Sequence, residues 1–237
     1  MDPLWAVISW PEKRGGKWDV EEFYRLGREE VGRILDEVAL LELPLRKQRA
    51  LDFGCGVGRL SEALAAHFGR VTGLDIAPSM VDYARLHTRS GGRVEYLVNE
   101  TDDLGRFKDA EFDFILSSIT LQHVPQPFIS GYLREFVRVL APGGMLVFQL
   151  PAKAAATVKG CLWRLLPRSA VASMLRRKNR LPVSMQMNAI PRVRVESILR
   201  QAGAEVVSVR RDTEAGPDWI SYRYIAVKPS AESGVFQ

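Results

Sequence analysis

The chain has 237 residues, 46% hydrophobic and 26% charged, the length and balance of one large α/β domain with an ordinary core. That composition excludes general disorder. The two cysteines, Cys55 and Cys161, lie far apart and match no metal or disulfide spacing, which points to a reducing compartment. The net charge of +5 hides a split: Ala152 to Val195 holds ten Lys or Arg and no acid, leaving 23 basic against 28 acidic residues elsewhere.

The N-terminus lacks a basic start followed by an apolar run, so no secretory signal is expected. No stretch approaches the roughly 18 apolar residues of a membrane span, and the chain reads as cytoplasmic. Residues 19–41 carry apolar positions at Val20, Phe23, Tyr24, Val31, Ile34, Leu35 and Val38, the spacing of an amphipathic helical cap with Asp19 as N-cap. Strands are then expected at 49–53, 70–74, 94–98, 112–117 and 145–150. The helices expected between them cover 59–68, 78–88 and 128–140. This alternation predicts a mostly parallel sheet with helices on both faces. Residues 152–190 form a basic insertion, read as a lid over the carboxyl ends of the strands. A helix at 191–202 and strands at 205–209 and 219–227 close a seven-stranded, Rossmann-like sheet.

Directly after the first strand, Gly54, Gly56 and Gly58 make a turn in which the backbone can approach a ligand closely. The helix behind it offers free N–H groups and a partial positive charge. A dinucleotide fingerprint asks for a third glycine where Arg59 stands, which disfavours a nicotinamide-dependent oxidoreductase. Asp75, ending the second strand, is placed to accept hydrogen bonds from both ribose hydroxyls of a nucleoside.

The runs LDFGCGVGR, GLDIAPSM, FDFILSSITLQHVP and LREFVRVLAPGGMLVF resemble the successive motifs of class I S-adenosylmethionine (SAM)-dependent methyltransferases. Within that class the likeness is to the small-molecule type 11 and type 12 families, strong over residues 49–150 and weak on both flanks. The resemblance implies SAM as cofactor and S-adenosylhomocysteine as its product. It sets Asp52, Gly54, Cys55 and Gly56 at the methionine end and Asp75 on the ribose. Ile76 and Met80 would pack on adenine, with Glu100 nearby where the family more often has Asp. Ser117 would present its carbonyl to the ammonium group, and Arg28 or Arg59 a charge to the carboxylate.

His123 follows the fourth strand, where the family faces its acceptor. With an unperturbed pKa of about 6.5, a histidine there can accept a proton at neutral pH, so it is the candidate general base; a loop-bonding role is the alternative. Gln122, Tyr24, Met187 and Asn188 are the other expected contacts to a small-molecule acceptor, anionic or apolar. His67 and His87 read as surface residues of helices, and no metal site is expected.

For the basic insertion three readings stand: a lid, an interfacial helix making peripheral contact with acidic lipid, or surface charge. No specific nucleic acid is expected, because the Asn/Asp-Pro-Pro-aromatic run of base amino-methylating enzymes is replaced here by SSITLQHVP. A SAM-binding partner subunit without activity remains the rival, since cofactor motifs do not by themselves establish turnover.

Overall fold

A computed structural model describes residues 2–156 and 187–230; most of the basic insertion, 157–186, lies outside the described residues. The sheet runs β1 (Arg49–Phe53), β2 (Arg70–Asp75), β3 (Val94–Val98), β4 (Phe112–Ser117), β5 (Leu140–Ala154), β6 (Glu205–Asp212) and β7 (Trp219–Val227). Its spatial order is β3-β2-β1-β4-β5-β7-β6. The first five strands pair in parallel, and β7 runs antiparallel to both β5 and β6. The expected Rossmann-like sheet is therefore present, closed by the antiparallel pair.

The central strands are apolar on both faces because both are covered: every residue of β4 is buried, and all of β1 but its first. On one face pack α2 (Val20–Ala39), α3 (Arg59–Leu64) and α4 (Pro78–Leu86), contributing Val31, Ile34, Leu64 and Val81 to one core. On the other, α5 (Gln126–Val139) and α6 (Arg192–Gln201) contribute Leu133, Phe136, Val195 and Leu199. The order reverses between β1 and β4, and ligands of open α/β sheets bind at such a switch point.

Helix ends differ from the expected ones by local causes. Residues 65–68 leave α3 in a tight turn, although Phe68 still stacks on Phe114. The α4 helix stops at Leu86, two residues before Thr88, whose hydroxyl donates to Glu62. Pro142-Gly143-Gly144 lies within a continuous β5, where Gly143 (φ 77°) takes up a register shift.

A short helix, α1 (Pro3–Val7), had no periodicity long enough to announce it. Its N-cap Asp2 accepts from the Trp5 and Gly16 amides, folding the N-terminus back on itself. Leu4 of this helix, with Trp18, Phe23 and Tyr24, forms a third apolar cluster over Val57 of the glycine turn.

Gly27 is where α2 meets α3. A Cβ there would stand 2.6 Å from the Arg59 carbonyl oxygen and 2.7 Å from its Cγ, whereas one on Gly32 would meet nothing within 4 Å. Gly27→Ala should thus cost about 1–3 kcal/mol of stability by overpacking. Gly32→Ala should be neutral or gain up to about 1 kcal/mol from helix propensity. Urea unfolding of both variants checks the contrast.

Candidate active site

The glycine turn is held from the neighbouring strand. Gly54 and Cys55 donate their amides to the Leu74 carbonyl at 2.7 and 3.1 Å. Gly54 adopts φ 81°, and a Cβ on it would collide with the Thr120 side chain at 2.1 Å. Only glycine lets the loops after β1 and β4 approach this closely. Asp75 ties the assembly together: one carboxylate oxygen accepts from the Gly56 amide at 2.8 Å, the other from the Ala77 amide at 2.9 Å. Each oxygen keeps a lone pair for a further donor.

Beside Asp75 opens a cavity of about 430 Å³. Its lining includes Phe53, Gly54, Asp75, Ile76 and Glu100 from the ends of β1, β2 and β3 and the loops after them, and Thr120, His123, Val124, Phe128 and Tyr132 from the segment after β4. Of the expected site residues, Gly54, Asp75, Ile76, Glu100 and His123 thus come together. Ile76 is 78% exposed, an apolar side chain offered to whatever enters.

The remaining expected contacts sit around this cavity without lining it. Asp52 is buried beneath the turn and accepts from the Ser61 hydroxyl at 2.6 Å. Burial pushes its carboxyl up to about 7, against the opposing pull of that hydrogen bond and of Arg59. Cys55 is buried, its thiol raised well above the usual range by desolvation, so it stays protonated and unreactive. Gly56 packs under Val7 of α1. Met80 packs with the N-terminal cluster.

Arg59 is buried and paired with Glu30 of α2 at 2.8 Å, while Arg28 is exposed on the same helix. Glu30 accepts as well from the Ser118 hydroxyl at 2.8 Å. The Arg59 Nε and the Ser117 hydroxyl are buried with no partner among the described residues. Tyr24 donates weakly to the Val57 carbonyl at 3.4 Å, and its hydroxyl is pushed up to about 12 by burial.

His123 ends a 3-10 turn, Leu121–His123, that follows Ile119. Ile119 adopts φ 56°. A β-branched residue in the left-handed region costs of order 1–3 kcal/mol, a strain concentrated at functional loops. Gln122 is buried; its carbonyl accepts from the Asn188 amide at 2.7 Å, and its side chain meets the His123 ring at 3.1 Å. Met187 is half-buried and Asn188 buried beside this turn.

Sequence reasoning passed over Asn99, Thr120 and Tyr132. Buried Asn99 donates to the Thr101 carbonyl at 3.0 Å and to the Tyr132 hydroxyl at 3.1 Å, tying together three residues of the cavity lining. A polar residue directly after an apolar strand was the one available signal for Asn99.

Residues 51–148 match a family model described as a methyltransferase domain. These residues belong to that methyltransferase domain family. A ubiquinone biosynthesis O-methyltransferase of Xanthomonas oryzae pv. oryzae is 40% identical over 133 residues, covering 53% of this chain and 55% of the relative. The relative of the same description from Xanthomonas campestris pv. campestris is 39% identical over 141 residues, covering 56% and 58%. The chain thus spans about half the length of the curated relatives it matches.

Among solved structures, a protein from Pyrococcus horikoshii superposes with TM-score 0.63 at 21% identity, covering 94% of this chain and 97% of that one. The magnesium protoporphyrin IX methyltransferase of Synechocystis, solved with bound S-adenosylhomocysteine, gives 0.62 at 18% identity, covering 95% and 93%. These likenesses extend the fold of the methyltransferase domain over the N-terminal cap and the closing strands. No helix among the described residues is long and apolar enough to cross a membrane.

Asp52 sets a pH dependence. Its carboxyl titrates at about 7 when folded and near 3.9 when unfolded, so between these values the native state holds a proton that the unfolded state has lost. Its contribution to stability therefore falls as pH rises from about 4 to about 7, by at most about 1.4 kcal/mol per unit, and levels off above. Asp52→Asn should remove that slope. Unfolding free energies of both proteins between pH 4 and 8 test it.

Proposed function

We propose that this chain moves the methyl group of SAM to an oxygen, nitrogen or sulfur atom of a small-molecule acceptor, with oxygen favoured by the description of its relatives. The observation that carries the reading is the cavity at the switch point, whose lining brings Asp75 and Ile76 together with His123.

The residues fit the cofactor. Asp75 is fixed by two backbone amides yet keeps acceptor capacity toward a ribose, and exposed Ile76 offers an apolar face to a base. Ser117 and the glycine turn lie toward the amino-acid end, where a buried hydroxyl lacks a described partner. SAM supplies a sulfonium-activated methyl group when bound. A cationic ligand above the turn also favours the charged form of Asp52, which burial alone opposes.

The work left to the protein is to hold the acceptor in line, exclude water and take a proton where the acceptor carries one. Phe128, Val124 and Tyr132 make the acceptor side of the cavity largely apolar, which suits an aromatic or aliphatic substrate. Burial pushes the Tyr132 hydroxyl up from its ordinary range, and His123, in the same lining, is the proposed base.

Calorimetry should detect binding of SAM and S-adenosylhomocysteine and no comparable binding of NAD; tight NAD binding without SAM binding sinks the reading. Asp75→Ala should weaken SAM binding about 10- to 100-fold, the worth of one or two hydrogen bonds to a charged group. Incubation with methyl-labelled SAM and a panel of phenols, amines and thiols identifies the acceptor class. With that acceptor, His123→Ala should lower kcat about 10²- to 10⁴-fold and leave SAM affinity nearly constant. A loss confined to KM would make His123 a binding residue.

A further inference from the structure

Behind His123 runs a line of buried amides that the transfer reaction does not itself require. Gln149 of β5 donates from Nε2 to the Ser221 hydroxyl of β7, and from the same nitrogen to Gln122 Oε1 at 3.4 Å. The Gln122 Nε2 in turn lies 3.1 Å from His123 Nε2. Gln122, Gln149 and Ser221 are all 3% exposed or less. Water does not reach these amides freely, so their partners are those the fold supplies.

An amide has one donor end and one acceptor end, so such a line has a direction. Gln149 has two N–H groups to place and finds two oxygens, leaving only its own Oε1 without a described partner. Turned over, it would leave both N–H groups facing no acceptor among these residues, and unmet donors in a buried site cost more than one unmet carbonyl. With Gln149 donating, the Gln122 oxygen is the acceptor and its NH₂ faces the ring. The His123 Nε2 must then accept, which puts the ring proton on Nδ1.

We propose that Gln149 and Gln122 are positioning residues that, anchored on Ser221, hold His123 neutral with Nδ1 protonated and Nε2 engaged. The relay makes β5 and β7 part of the site although neither strand reaches the cavity through these residues. Its consequence for methyl transfer rests on the function proposed above: proton uptake at Nε2 requires the Gln122 bond to open, so the relay gates the base. The tautomer itself does not depend on that reading.

Nitrogen NMR of ¹⁵N-histidine-labelled protein, without cofactor or acceptor, reads the tautomer directly. The chain has three histidines, and His123→Gln identifies the signal. Wild type should show the Nδ1–H form. Gln149→Met removes the donor that orients Gln122 and should shift the tautomer ratio toward Nε2–H by about fivefold or more, the worth of one hydrogen bond. Gln149→Glu, an acceptor only, should turn the Gln122 amide over and make Nε2–H dominant. An Nε2–H wild type, or a tautomer unchanged in whichever Gln149 variant folds, overturns the proposal. Absence of SAM binding in the same samples would fail the functional reading alone.

Discussion

The carboxylate of Glu30 is the point on which the site's architecture depends. It receives the Arg59 guanidinium from the start of α3 and the Ser118 hydroxyl from the loop after β4, both at 2.8 Å. Three segments distant in sequence thus share one buried acceptor. Both members of the ion pair have side chains less than 10% exposed, so neither charge has water to fall back on. Removing one partner of such a pair is far costlier than the pair's net contribution, because the other charge remains buried. The arrangement specifies position: α2 is locked over the glycine turn, and Gly27 lets it approach there without a side chain in the way.

That constraint explains why Arg59 does not lie open toward the cofactor's carboxylate. Its position beside the turn suited that role, but its charge is committed to the cap. The same cap collects Trp18, Phe23, Tyr24 and Met80 into an apolar cluster over Val57. Tyr24, expected as an acceptor contact, is buried in this cluster with its hydroxyl on the Val57 carbonyl. Asp75 is the counterpart on the open side, where its two bonded amides order the turn and α4 and its spare lone pairs face the cavity.

Polar groups deep in the carboxyl edge share one physical condition. Asp52, Cys55, Ser117 and Gln149 are all buried away from water. Asp52 responds by holding its proton to about pH 7, Cys55 by remaining a thiol, and Gln149 by directing its donors to Ser221 and Gln122. A site built in this way is sensitive to the charge of what binds, because the low local dielectric magnifies each interaction.

Much of this was legible in the residues. Short apolar runs located β1, β3 and β4 to the residue, and the alternation of strands with helices implied the parallel sheet. Gly54, Asp75, Ile76, Glu100 and His123 were found because they stand at strand ends, which a parallel sheet brings to one edge whatever lies between them. The short helix α1 was missed because five residues carry no periodic signal. Thr120 and Tyr132 were missed because only the cavity's shape selects them.

The fold class, the glycine turn with its acidic partner and the histidine after the fourth strand could be read from the residues, since each is written in local spacing and backbone chemistry. Tertiary structure alone decided that Arg59 answers Glu30, that Asp52 is buried beneath the turn and that Gln149 reaches Gln122 across the sheet. Those pairings join residues 29, 9 and 27 positions apart in the chain. Desolvation, hydrogen-bond direction and steric clearance at such separations exist only once the chain has folded.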